Sequence, residues 1–324
     1  GSGYSSMAPS MTDVNGDGLI DSIATVMNTA GWQTYVKLGN GDGTFGAPVY
    51  TIEPGSGYSS LIPSMADVNG DGLIDSIATI MNTAGWQTYI KLGNGNAPNL
   101  ITTVTSGLNT QTQVFYTPIT DNTVYTKGSG AIYPETDLQG AMYVVSKVSV
   151  SDGVGGLRDT SYKYEGLRSS VLRGSLGFAA MTSTDELLGM TTRTEYSQTY
   201  PFTGQVVRSV QTFDNNTAST SDDVVLSEVD SSFDSIQTHT GTETVSGHTG
   251  TVFAFADSLT KKNYKLDGTL VSTVTTSNSY DNFGNPTSLV VDTSGLDYEG
   301  VMETYTTATT NTYTNDETNW FLGR

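Results

Sequence analysis

Hydrophobic and polar positions alternate with a period of two along most of this chain. The runs "LIDSIATVM" (19–27) and "WQTYVKLGN" (32–40) flank the turn signal "NTAG". Later runs, among them "TQTQVFYTPI" (110–119), "AMYVVSKVSVSD" (141–152), "TSYKYEG" (160–166) and "VSTVTTSNSYDNFGNPTSLVVD" (271–292), set Val, Tyr and Thr against polar neighbours. Period-two alternation puts successive side chains on opposite faces of a strand, and the Gly, Asn, Asp and Pro between runs supply the turns. Only "STDELLGM" (183–190) passes for a helical turn. The stretch 205–251 is rich in Ser, Thr and Asp, which leaves a disordered loop or long exposed strands; the spaced Val224, Val225 and Phe233 favour strands. The pattern predicts an all-β fold.

The chain repeats itself. Residues 1–40 align with 55–94 without a gap, a period of 54 (55 minus 1), and differ only at Met7/Leu61, Ala8/Ile62, Thr12/Ala66, Val26/Ile80 and Val36/Ile90. Each unit has room for four short strands, and a period near the ~40–50 residues of propeller blades argues for blades over a helical solenoid. Two blades cannot close a ring, so their edges need cover from elsewhere. The expected organisation is two tandem blade-like repeats over 1–98, a partial β-propeller, followed by a large antiparallel β-sheet meander over 99–324.

Composition narrows the partners. The 324 residues carry 33 acidic against 14 basic side chains, a net charge of −19 and a pI near 4.2. Such a surface repels nucleic acid and anionic lipid and favours cations. No run approaches the ~18 apolar residues of a membrane helix, so neither nucleic-acid binding nor direct membrane insertion is expected. There is no Cys, which removes disulfides, thiolate metal sites and Cys nucleophiles. The N-terminus lacks the regions of a signal peptide, and its "GSGYSS" recurs at 55–60 as part of the repeat. The chain is expected to begin inside a longer protein.

The sharpest chemical motif is "DVNGDGLID", at 13–21 and again, letter for letter, at 67–75. Asp13, Asn15, Asp17 and Asp21 fall at positions 1, 3, 5 and 9 of a calcium-loop pattern, with Gly18 at the sharp turn and the Leu19 carbonyl at position 7; Asp67, Asn69, Asp71, Leu73 and Asp75 repeat the set. Hard oxygen donors in that number suit Ca²⁺, which accepts six to eight at flexible geometry. Position 12 is Ala24 or Ala78, not the bidentate Glu of an EF-hand. The competing reading is an Asn-Gly or Asp-Gly hairpin whose acids face water. The duplicated spacing predicts two structural calcium sites. A further turn, "GNGDGTFGAP" (39–48), has one carboxylate and reads as a turn alone; in the second unit it shortens to "GNGNAPN".

Nothing points to catalysis. His239 and His248 are the only histidines and read as surface residues, and no GxSxG, HExxH or phosphate-loop pattern occurs. Asp222 and Asp223 are adjacent, which on a strand points them to opposite faces. Tyr162, Tyr164, Tyr196 and Tyr200 read as packing residues, and "RGSLGF" (173–178) as a tight β corner through Gly174 and Gly177. Trp32 and Trp86 follow "NTAG" at the same place in each repeat, as packing residues do, although they could also stack on sugar rings.

"DVNGDGLID" with the following "FGAP" resembles an FG-GAP or VCBS propeller blade. The resemblance continues through "NLITTVTSGLNTQTQVFYTPITD", "AMYVVSKVSVSDGVGG", "TSYKYEGLRSSVLRGSLGFAAMTSTDE" and "TRTEYSQTYPFTGQV", which look like the middle region of toxin-complex B components and related Rhs proteins. "YDNFGNPTSLVVD" is similar to a YD repeat, and "YTNDETNWFLGR" to the segment leading into the main Rhs repeats. The resemblance implies a structural, non-enzymatic piece of a secreted or cell-surface bacterial polypeptide. In that family the strands wind into a shell around a toxic C-terminal cargo, and the shell meets an A-type translocation channel and a C-type cargo portion. The long YD array, the self-cleaving ending and the cargo are missing here. The alternative is a calcium-dependent adhesin or lectin-like module that binds a glycan or host protein.

Overall fold

The computed structural model describes residues 10–12, 14, 19–28, 31–52, 64–82, 85–93, 100–140, 142–214, 223–245, 248–319 and 322–323. Every regular element among them is a β-strand. The chain divides into two compact units, one of residues 1–125 and 139–146, the other of 126–138 and 147–324.

In the first unit each repeat forms its own antiparallel sheet. Ser10–Thr12, Asp21–Asn28, Gly31–Lys37 and Val49–Ile52 pair in chain order, as do Ser64–Ala66, Asp75–Asn82 and Gly85–Lys91. The hairpin register is the same in both copies, Asn28 facing Gly31 and Asn82 facing Gly85, because the intervening turn is identical. The expectation of four strands holds in the first repeat. In the second, residues 94–99 lie outside the described residues, and the next described strand, Thr103–Thr105, pairs with Gln111–Pro118. The buried apolar side chains described in this unit are Ile23, Leu73, Ile119 and Tyr125, the last two each 1% exposed.

The second unit is dominated by one antiparallel meander. From the latter half of Tyr143–Ser151 the sheet passes to Leu157–Glu165, Ala180–Asp185, Met190–Tyr196, Val206–Phe213, Val224–Val245, His248–Tyr264, Leu270–Tyr280, Pro286–Leu296 and Met302–Thr310. Each strand of this series pairs with the next, and the step from Leu157–Glu165 to Ala180–Asp185 passes over two strands that lie between them in the chain. Where the link is a tight Gly- or Asx-containing turn, it returns the chain to its immediate neighbour. The strands Val224–Val245 and His248–Tyr264 reach 22 and 17 residues, so this part of the polar tract forms long strands, while its residues 215–222 and 246–247 lie outside the described residues. "STDELLGM" is the end of one strand, a turn and the start of the next: Gly189, at φ 62°, donates its N–H to the Asp185 carbonyl. Alternation, not a helical period, governs that segment.

One excursion among the described residues leaves the meander for a sheet of its own. Glu135–Asp137, Arg168–Ser170 and Gly174–Gly177 form a separate small sheet. Gly174 and Gly177 take φ of 75° and 77°, the left-handed region that a side chain disfavours, as a corner in "RGSLGF" requires. Here the sheet has a true interior, with Leu167, Leu176 and Ala180 buried. Tyr164 packs on Phe178 at 4.9 Å, and the Arg173 guanidinium lies 3.9 Å from the Tyr200 ring centre. Farther along, Tyr280 closes an aromatic cluster, 4.5 Å from Phe255 and 5.3 Å from Phe253. Such pairs contribute about 0.5–1.5 kcal/mol beyond the area they bury.

Candidate calcium loops

The two acidic loops connect the first and second strands of their sheets. In the first, Leu19 and Asp21 lie among the described residues, while Asp13, Asn15 and Asp17 lie outside them. Asp21 is fully buried and accepts the N–H of Val14 on Oδ2 and that of Gly39 on Oδ1, both at 2.8 Å. In the second loop Asp75 is equally buried and accepts the N–H groups of Val68 and Gly93, both at 2.7 Å. The ninth residue of each loop thus pins the loop's start to the end of a neighbouring strand. A buried carboxylate persists only when its lone pairs are met this way. Glycine is needed at the receiving strand: a Cβ on Gly39 would lie 2.4 Å from the Ile20 carbonyl oxygen, and one on Gly93 would lie 2.8 Å from that of Ile74.

The rest of the second loop is described in full. Asp67 accepts the N–H of Gly70 on Oδ1 at 2.7 Å and that of Gly72 on Oδ2 at 2.8 Å. Asn69 Oδ1 accepts the N–H of Asp71 at 3.1 Å, and its Nδ2 donates to Asp71 Oδ2 at 2.8 Å. Asp71 Oδ1 accepts the N–H of Leu73 at 2.8 Å. Gly70 and Gly72, at φ of 78° and 81°, curl the chain so that alternate side chains turn onto its own N–H groups. On its outer side the loop meets residues far along the chain. Thr120 Oγ1 donates to the Gly70 carbonyl at 2.7 Å, and the Tyr143 hydroxyl donates to the Asp71 carbonyl at 2.6 Å. Burial, then the negative charges of Asp71 and Asp67, push the Tyr143 phenol above its ordinary value.

The donor set fits calcium in kind: three carboxylates, an amide oxygen and the Leu73 carbonyl within one curled loop. Each carboxylate oxygen that accepts one N–H keeps a further lone pair. Among the described residues, however, no three acidic or histidine side chains are grouped closely enough to hold a metal as they stand. The acids are instead organised around backbone N–H groups. Sequence reasoning grouped the acids but missed Gly39, Gly93, Thr120 and Tyr143. The glycines recur in the repeat and could have been suspected; nothing local marks Thr120 or Tyr143.

The other singled-out residues separate. "GNGDGTFGAP" is a turn, with Asn40 donating its N–H to the Thr44 carbonyl, Gly46 to that of Leu38, and Asp42 accepting from Thr44. The side chains of Trp32, Trp86, His239 and His248, and all of Asp222, lie outside the described residues. The YD-like turn forms a polar clasp. Asp281 accepts the N–H groups of Phe283 and Asn285 and the side-chain amides of Asn285 and Asn315, at 2.8–2.9 Å. Partial burial works to raise its carboxyl, but these donors, Asn285 foremost, prevail and hold it at about 2. Asn315 Oδ1 also accepts the N–H of Gly323 at 2.8 Å, which ties Gly323 to this turn.

The geometry defines a class: blade-like repeats with acidic loops, followed by a broad antiparallel sheet. Residues 13–78 match the family model of an FG-GAP-like repeat, and residues 51–210 match that of the insecticide toxin TcdB middle/N-terminal region. Over residues 13–210 the chain is thus similar to an FG-GAP-like repeat continuing into the middle/N-terminal region of the insecticide toxin TcdB. Among solved structures, the Photorhabdus luminescens Tc holotoxin pore is similar with a TM-score of 0.57 at 13% identity. The TcdB2–TccC3 structure is similar with a TM-score of 0.57 at 14% identity, and its complex with Cdc42 with 0.56 at 14%. At such identities the likeness is one of fold. Each alignment covers 88% of this chain and 16% of the other, so this chain spans about a sixth of the length of those structures. The comparison with curated proteins returned no match.

Proposed function

We propose that this chain is a non-enzymatic wall segment of a bacterial toxin-complex protein of the Rhs type, with calcium-stabilised blades and part of a β shell that encloses and delivers a toxic cargo. The observation that carries this reading is the meander of 147–310. Its strands are mostly half-exposed along their length, as in Leu270–Tyr280 and Pro286–Leu296, and the described buried residues of this unit are few, most of them near the small corner sheet. A single-layer sheet with no face packed against a second layer is unsuited to a solid globule, where a sheet buries one face. It suits a wall whose inner face meets an enclosed volume.

Several acids of this sheet support a structural role, because they engage bases, most of them across strands. Lys147 pairs with Asp159, Arg158 with Asp185, Arg193 with Glu165 and with Glu195 of its own strand, and Arg208 with Glu228 and Asp230. Carboxylates committed to fixed cross-strand cations are poorly placed for acid-base work. The partners on this reading are an A-type translocation channel and a C-type cargo portion, and the protein is secreted or carried on the cell surface. Electron microscopy of the parent polypeptide, extended on both sides of this segment, tests it. A hollow particle with the blades at one end is expected. A solid or elongated particle would overturn the shell reading and make glycan binding, lost in Trp32→Ala with Trp86→Ala, the next measurement.

A further inference from the structure

Two peptide units of the second acidic loop are held from both ends. The unit between Gly70 and Asp71 presents its carbonyl to Thr120 Oγ1 at 2.7 Å and its N–H to Asn69 Oδ1 at 3.1 Å. The unit between Asp71 and Gly72 presents its carbonyl to the Tyr143 hydroxyl at 2.6 Å and its N–H to Asp67 Oδ2 at 2.8 Å. A planar trans peptide points its C=O and N–H in opposite directions. A donor that fixes the carbonyl outside the loop therefore aims the N–H inward, at the side chains that would serve the ion. The approach is close by design of the backbone: a Cβ on Gly72 would lie 2.7 Å from the Tyr143 ring and 2.9 Å from Pro118.

We propose that Thr120 and Tyr143 are positioning residues for the second loop. They lock the two peptide planes that hold Asp67 and Asn69, so this loop binds calcium more tightly than its own nine residues dictate. The proposal rests on the calcium reading above. Residues that orient metal ligands from outside typically contribute 10–100-fold in affinity. The first loop has the same nine residues and serves as an internal reference.

The test is calorimetric titration of the 324-residue chain with calcium chloride in two backgrounds, Asp17→Ala to isolate the second loop and Asp71→Ala to isolate the first. With the second loop isolated, Tyr143→Phe and Thr120→Val should each weaken calcium binding about tenfold, and Thr120→Ser should retain it. With the first isolated, none of the three should change the affinity. Unchanged affinity in the first background, or an equal loss in both, overturns the proposal alone. No calcium binding by the unsubstituted chain overturns the calcium reading and the proposal with it. Should Tyr143→Phe fail to fold, the contrast between Thr120→Val and Thr120→Ser decides.

Discussion

Gly93 donates its backbone N–H to Oδ1 of the buried Asp75 at 2.7 Å, and Gly39 makes the same bond to Asp21 at 2.8 Å in the preceding repeat. The ninth acid of each loop is thus a strut between strands, whatever else it binds. Asp75→Ala should strand two N–H donors and cost about 3 kcal/mol, given that hydrogen bonds to charged groups contribute about 1.5–3 kcal/mol each. Urea denaturation in EDTA measures it. A loss seen only in calcium would make Asp75 a ligand first and a strut second.

Calcium should raise the melting temperature of the chain, and EDTA should lower it. Calcium at a hundred times its dissociation constant stabilises by about 2.7 kcal/mol per site. Asp17→Ala combined with Asp71→Ala should abolish the shift in scanning calorimetry. A melt indifferent to calcium in the unsubstituted chain would leave the loops as hydrogen-bonded turns.

Gly72 and Gly43 separate conformational strain from crowding. Both have positive φ, 81° and 85°, but a Cβ on Gly43 meets nothing within 4 Å, whereas one on Gly72 meets Tyr143 and Pro118. Gly43→Ala should cost about 1 kcal/mol, and Gly72→Ala about 2 kcal/mol or more as packing strain adds to it. Equal costs, read from denaturation midpoints, would mean that the second loop does not sit against Tyr143.

Asp281 should contribute to acid sensitivity. Its folded carboxyl is depressed to about 2, so the stabilisation it provides is complete above its unfolded value, near ~4, and is lost as the pH falls through about 2. Asp281→Asn should be less stable than the parent at pH 7, and its stability should fall less steeply between about pH 4 and pH 2. Parallel curves in urea titrations across that window would rule out the clasp with Asn285 and Asn315.

Strands and turns were legible because their causes are local. Alternation in "VSTVTTSNSY" yields the strand Leu270–Tyr280, and "DNFGN" yields a turn in which Gly284 takes φ of 83°. The spacing of Asp67, Asn69 and Asp71 likewise announced one curled loop. The readings that failed or stayed open were those where local cues compete. "STDELLGM" has helix formers but lies between two strands whose partners override them. Thr103–Thr105 follows the second repeat as a fourth blade strand would, yet pairs with Gln111–Pro118, which a short turn brings within reach.

The sequence alone determined the all-β fold, the repeat and the composition of the acidic loops, since these depend on side-chain alternation, on identity at a fixed period and on oxygen donors at fixed spacing. Only the tertiary structure decided that Asp21 and Asp75 brace strand ends. It likewise decided that Thr120 and Tyr143 grip the second loop and that residues 166–179 leave the meander for a corner of their own. Those contacts join residues up to 72 positions apart, as between Asp71 and Tyr143. No local pattern encodes such a pairing, because it is selected by which surfaces can be buried together once the strands exist.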